Sequence, residues 1–366
     1  MARPIHGGNL RWAADLVGCS PDDILDFSAS INPLGPPPSA IDAIQSALAS
    51  LRHYPDPDYW ELRQAIAEIH SLAPDWILPG NGAAELLTWA ARDLAQWETV
   101  GVLTPGFADY FRALRSAKAN PTALSLTLTE SLLPLSTEMG EFFLSIARSA
   151  SSALLLNNPH NPTGSLFLRE TLQPYLEQFA LVVVDEAFMD FLPPDRQQSL
   201  IPFVTEFPNL VVLRSLTKFY SLPGLRLGYA VAHPDRLRTW QQQRDPWPVN
   251  TLAAAAALAV LADTAFQQKT WDWLRKASPE LQTGLAALPG LYPHPGAANY
   301  LLVRSEKSVV SLQKDLLQSH RILIRDCLSF PELGDRFFRV AIRTSLENQQ
   351  LMTALQNSLG EVAYGS

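Results

Sequence analysis

Between residues 99 and 213 the chain repeats one pattern: a short unbroken apolar run, a polar turn rich in glycine or proline, then a stretch with helical spacing. The runs are 99–103, 153–156, 181–184 and 210–213. None alternates polar with apolar, so each predicts a strand buried on both faces, and together they predict a parallel sheet with helical crossovers. Upstream, residues 1–40 are irregular and carry many turn formers, with Ser39 placed to cap a helix running through Ala49. Helical patterning recurs at 59–69 and 83–94. The apolar run 252–262 is too short to span a bilayer and predicts a buried helix. Beyond it, 265–287 predicts a long helix, and 299–303, 322–324 and 338–342 predict strands with helical segments between and after. The fold class expected is α/β: a large domain (46–260) with a mostly parallel sheet between helices, and a smaller α+β domain (261–366) against which an N-terminal arm (1–45) packs.

The turns after the apolar runs hold the candidate chemistry, at the strand ends where ligands bind in open α/β sheets. Asp185 closes the run Leu181-Val182-Val183-Val184. A carboxylate buried there needs a partner; a helix N-cap or a structural ion pair would serve, and so would a pyridinium N–H. Asn161 stands in Asn-Pro-Thr-Gly after 153–156, where it is either a turn former or a ligand to a ring oxygen. Lys218 follows 210–213, with Ser215 before it and Arg226 after it. A lone lysine is a surface residue, but an amine near a strand-end aspartate can condense with an aldehyde cofactor. Ser215 and Arg226 can reach a phosphate, as can the backbone N–H groups at Gly82, Ala83 and Ala84, where small residues open a helix. Phe107, after 99–103, is core or a stacking platform. Taken singly these signals are weak; in this order along an alternating chain they point to pyridoxal 5'-phosphate (PLP) and an amine or amino-acid substrate.

Composition narrows the picture. The net charge is -8, which argues against nucleic acid or an anionic membrane as partner, so an anionic substrate requires a local basic pocket. Two cysteines, Cys19 and Cys327, imply no disulfide framework and suit a reducing cytoplasm. No signal peptide is expected, and no metal.

These residues resemble the fold-type I PLP-dependent aminotransferase superfamily over nearly the whole chain, most closely the branch holding histidinol-phosphate aminotransferases and threonine-phosphate decarboxylases. His6-Gly7-Gly8-Asn9, the stretch from Asp26 to Gly35, Asp185-Glu186-Ala187-Phe188 and Leu222-Pro223-Gly224-Leu225-Arg226 are similar to the decarboxylase pattern. Phe188 stands where aminotransferases commonly carry a tyrosine. The resemblance implies a homodimer in which Tyr54 reaches the cofactor phosphate of the neighbouring subunit. It also implies that Arg339 holds a substrate carboxylate, Arg325 a substrate phosphate, and that His6 and Asn32 contact substrate. Arg343 adds a third arginine to this expected anion pocket. The activity it implies is decarboxylation of O-phospho-L-threonine to (R)-1-amino-2-propanol O-2-phosphate and CO2 in cobalamin biosynthesis. The alternative is amino-group transfer on histidinol phosphate or a related phosphorylated amine.

Overall fold

The computed structural model describes residues 3–126 and 152–360. Helix α1 (Leu10–Val17) and the short strand β1 (Leu25–Asp26) form the N-terminal arm. Helix α2 (Pro38–Ala47) follows, and after it α3 (Trp60–His70). A seven-stranded sheet occupies the centre, in the spatial order β2-β8-β7-β6-β5-β3-β4. Its strands are β2 (Ile77–Gly80), β3 (Thr99–Thr104), β4 (Pro121–Ser125), β5 (Ser152–Asn157), β6 (Leu181–Asp185), β7 (Leu210–Ser215) and β8 (Gly228–Ala232). β3 to β7 are mutually parallel, and β8 runs antiparallel to both β7 and β2.

The unbroken apolar runs have a direct physical reading. Val182, Val184, Leu210 and Val212 enter one hydrophobic cluster, whereas Leu181, Val183, Val211 and Leu213 enter another. Successive side chains therefore alternate between two buried faces, and neither face tolerates polar residues. On one face lie α4 (Ala83–Leu94), α5 (Ala108–Ser116) and, beyond α6 (Arg169–Leu176), α7 (Pro234–Gln243). The other face meets α3, α6 and α8 (Thr251–Ala262). Only one stripe of α8 (Ala253, Ala256, Ala257 and Val260) is fully buried, so the apolar run expected to be a buried helix is a half-buried one.

The C-terminal unit is an antiparallel sheet, β12-β13-β10-β9, under long helices. Its elements are α9 (Thr264–Ala286), β9 (Leu291–Pro293), β10 (Tyr300–Ser305), α10 (Val309–His320), β11 (Ile322–Leu323), β12 (Arg325–Asp326), β13 (Phe337–Ala341) and α11 (Ser345–Gly360). The single strand expected at 322–324 is split. β11 pairs in parallel with β1, while β12 turns away to join β13. Pairing of β1 with β11, together with an Arg3–Asp326 salt bridge of 3.2 Å, ties the arm to this unit. Ser39 does not cap α2. It sits inside the first turn, and its hydroxyl donates to Asp263 at 2.6 Å; a 3-10 turn over Leu48–Arg52 prolongs the element past Ala49.

Candidate active site

Six strands, β2 to β7, end at one edge of the central sheet, and the antiparallel β8 begins there. Gly228, its first residue, lies opposite both Ser215 of β7 and Gly80 of β2. A Cβ on Gly228 would stand 2.7 Å from the Ala83 nitrogen, so glycine is what lets the start of α4 sit against the sheet. Arg226, just upstream, places its guanidinium against Gly82, whose φ of 76° also requires glycine; a Cβ there would come within 2.6 Å of Nη2. The Ser215 and Thr217 hydroxyls lie 2.8 Å apart beside them. Ala83, Ala84, Ser215, Thr217 and Arg226 thus line one end of a cavity of about 320 Å³ that also contains Lys218 and Asp185. First-turn N–H groups without helical acceptors, a helix dipole and a guanidinium converge at that end, an arrangement that binds a phosphate.

In the middle of the cavity Asp185 is held from two sides. Its Oδ2 accepts from the Tyr110 phenol at 2.8 Å and its Oδ1 from the Ala187 N–H at 2.9 Å. Burial, reinforced by the Asp185 charge, pushes the Tyr110 phenol well above its usual range, so it stays a donor. Among the described residues no cation lies within ion-pair distance of Asp185 and it caps no α-helix, so neither plain reading of this residue describes it. The neighbouring Glu186 takes the ion-pair role instead. It meets Arg214 at 3.0 Å, and Arg214 also meets Asp190 at 2.5 Å, all behind the strand ends. Lys218 is half-buried, and desolvation lowers its pKa; Asp185 opposes that shift, while Arg226 and Arg339 add to it. Its Nζ lies 5.0 Å from the centroid of the Phe188 ring. Phe107 lines the same cavity, half-buried and edge-on to Tyr110.

A second cavity of about 190 Å³ shares Lys218, Asp185 and Phe107, and opens toward Asn157, Asn161, Phe188 and Arg339. Arg339 on β13 stands directly opposite Arg325 on β12. Like charges in that register repel, and among the described residues neither guanidinium has a carboxylate within ion-pair distance. Arg339 donates to the Asn161 side-chain oxygen and lies over the Tyr300 ring at 4.5 Å. Arg325 donates to the Ile5 carbonyl and to Ser329 Oγ. Burial lowers the pKa of both, and Arg339 lowers that of Arg325 further. His6 follows Ile5 at the cavity mouth, its ring 5.4 Å from that of Phe107. Burial lowers its pKa against the pull of Asp109.

Three expected residues stand elsewhere. Asn32 is buried, with its amide nitrogen donating to the Phe219 carbonyl and the Thr270 hydroxyl and its oxygen accepting from Leu34; it braces the Lys218 loop and lines neither cavity. Arg343 is neutralised by Glu347 at 2.6 Å and does not join the anion pocket. Tyr54 is 78% exposed and stacks on Trp247, away from this chain's own cleft. Conversely, Tyr110, Thr217 and Asn157 line the site unforeseen. The available signals were spacing: Tyr110 lies one helical turn after Phe107, and Thr217 lies one residue from Lys218.

An α/β sheet edge that gathers an anion-binding helix start, a strand-end aspartate and a half-buried lysine, with Arg339 reaching in from a second sheet, defines a fold-type I PLP-enzyme architecture. The chain belongs to the aminotransferase class I and II family, whose pattern matches residues 22–356. It is 42% identical to a threonine-phosphate decarboxylase of Salmonella typhimurium, over 98% of this chain and 97% of that protein. It is 34% identical to a histidinol-phosphate aminotransferase of Symbiobacterium thermophilum, over 93% and 91%. Among solved structures, L-threonine-O-3-phosphate decarboxylase of Porphyromonas gingivalis superimposes with a TM-score of 0.79 at 27% identity, covering 91% of this chain and 98% of that one.

Proposed function

We propose that the cleft holds PLP and decarboxylates O-phospho-L-threonine to 1-amino-2-propanol phosphate, a step in cobalamin synthesis. The cavity residues fit that cofactor. The start of α4 with Ser215 and Arg226 suits its phosphate, Lys218 its aldehyde, Asp185 its ring nitrogen, and Phe107 the ring face. Two neutral donors hold the Asp185 side chain and, among the described residues, no cation lies within ion-pair distance of it, which leaves room for a pyridinium proton. When bound, the protonated ring withdraws the electron pair of whichever substrate Cα bond breaks. The chain's own residues do the rest. Lys218, its pKa lowered by desolvation, would supply the amine that holds the aldehyde and would move a proton at Cα. Arg339 holds the substrate carboxylate, and Arg325 with His6 holds the phosphate.

The observation that carries this reading is the cross-strand Arg325–Arg339 pair: Arg325 is buried and Arg339 half-buried, neither has a carboxylate within ion-pair distance among the described residues, and Arg339 lines the cavity that contains the lysine. Such a pair calls for a ligand with two anionic groups, as phosphothreonine has. Histidinol phosphate has one but its co-substrate 2-oxoglutarate has two, so the preference for the decarboxylase rests on the 42% identity to a threonine-phosphate decarboxylase. Incubation of the loaded enzyme with each substrate tests the choice. CO2 from phosphothreonine is the expected product; glutamate formed from histidinol phosphate and 2-oxoglutarate would reverse the assignment.

The same reading includes a homodimer, with Tyr54 reaching the neighbouring subunit's cofactor phosphate. Its support is an apolar surface in which Leu48, Leu51, Tyr54, Trp60 and Trp247 are all exposed. It also divides the chain into an arm (1–45), a PLP-binding domain (46–260) and a small domain (261–366), and places the enzyme in the cytoplasm, which suits its two free cysteines. No described helix is long and apolar enough to cross a membrane.

A further inference from the structure

The lysine and the carboxylate-binding arginine are joined by two aromatic rings. Lys218 Nζ faces the Phe188 ring at 5.0 Å. The Phe188 and Tyr300 rings meet edge-on, with centroids 5.0 Å apart and planes at 75°. Arg339 lies over Tyr300 at 4.5 Å, and the Tyr300 hydroxyl donates to the His160 carbonyl at 2.8 Å, which fixes the ring against the loop that carries Asn161. Both rings are buried: Phe188 is 7% exposed and Tyr300 0%. Each cation therefore rests on a ring, and the rings brace one another between two like charges.

We propose that Phe188 and Tyr300 act as one positioning unit that sets the distance and angle between the Lys218 amine and the Arg339 guanidinium, and so decides which bond at the substrate α-carbon breaks. This rests on the decarboxylase reading of the same site. The selection matters because phosphothreonine carries a leaving group on Cβ. If the Cα–carboxylate bond breaks, CO2 departs and Cα gains a proton. If the Cα–H bond breaks instead, the proton goes to Lys218 and the electron pair expels phosphate from Cβ. Water then hydrolyses the remainder to 2-oxobutanoate and ammonia. A carboxylate held slightly off its angle would thus appear as inorganic phosphate.

The test measures CO2 and inorganic phosphate released from phosphothreonine by the loaded enzyme and its F188L, Y300L, F188Y and Y300F variants. We expect F188L and Y300L to raise the ratio of phosphate to CO2 by about tenfold, the size of a small misplacement of reacting groups. Y300F and F188Y keep a ring at each position and should restore most of the wild-type ratio. A second readout is binding of 3-phosphooxybutanoate, the substrate without its amine, to the loaded enzyme. Y300L should weaken it by about tenfold, the order of a lost buried cation–π contact, and Y300F should recover it. If F188L and Y300L slow both products equally and leave the analogue's affinity unchanged, the positioning role is refuted. If the wild-type enzyme releases no CO2, the decarboxylase reading fails, and the analogue's affinity alone decides whether Tyr300 positions Arg339.

Discussion

The two sheets treat their charges in opposite ways. At the end of the central sheet the carboxylates are held within the chain: Glu186 and Asp190 meet Arg214, and Tyr110 and Ala187 donate to Asp185. In the small sheet, Arg325 and Arg339 face one another across β12 and β13 without a carboxylate between them. The first region is organised before any ligand arrives. The second is electrostatically incomplete until an anion enters, so its binding energy is reserved for substrate. One half of the cleft is a scaffold that fixes a carboxylate, and the other is a receptor.

The contrast can be tested where its effect should be greatest. Asp185→Asn leaves the donors of Tyr110 and Ala187 facing a neutral amide and removes the partner of the ring proton. Turnover should fall by roughly 10²–10³-fold, the scale of losing one preorganised electrostatic contact at a reacting centre, with circular dichroism unchanged. Near-normal turnover would mean that the carboxylate is structural after all.

Glu186→Ala tests the scaffold side. It removes one of the two carboxylates that hold Arg214, which is 1% exposed, and leaves Asp190 as the remaining partner; breaking a buried pair by removing one partner costs about 3–5 kcal/mol. Denaturant unfolding should show a loss of that order. A change below about 1 kcal/mol, the value of a surface pair, would show that the network is not the anchor of β6 and β7.

On the receptor side the expected effect is smaller and of another kind. Arg325→Ala removes a charge that its neighbour disfavours, so thermal stability should hold or rise slightly. The KM for phosphothreonine should increase by roughly tenfold to a hundredfold, as expected for a lost charged hydrogen bond. A variant that lost stability and cofactor affinity together would place Arg325 with the scaffold.

Acid sensitivity separates the regions most finely. His160, in the loop between the sheets, is buried, and burial lowers its pKa from 6.5 to about 3. Between those values the unfolded chain carries a proton the folded chain does not, so stability is lost as pH falls from 6.5 toward 3. The slope is at most about 1.4 kcal/mol per pH unit for one such group. His160→Asn should flatten the stability curve below pH 6.5 by about that amount, measured by denaturant unfolding at stepped pH. An unchanged curve would assign the acid lability elsewhere.

Much of the scaffold was legible from sequence because burial on both faces leaves a local mark. Four apolar residues before Asp185, and four in the strand that leads to Ser215 and Lys218, announce both the strands and their chemical ends. The receptor was less legible, because its logic is register. Nothing in the linear order says that Arg325 will stand opposite Arg339, or that the run at 322–324 will divide so that one half pairs with the arm. Arg226 reaches the phosphate end of the cavity because β8 is antiparallel, a fact of topology. Asn32 shows the converse limit: its motif is informative, yet both amide N–H groups are used inside the chain and the side chain lines neither cavity.

All of this depends on one attachment point. Reduction of the PLP-loaded enzyme with borohydride, followed by peptide mass spectrometry, should find the cofactor's mass on the peptide containing Lys218, and Asp185→Asn should diminish it. Label fixed on another lysine, with Lys218 unmodified, would contradict the assignment of this cleft.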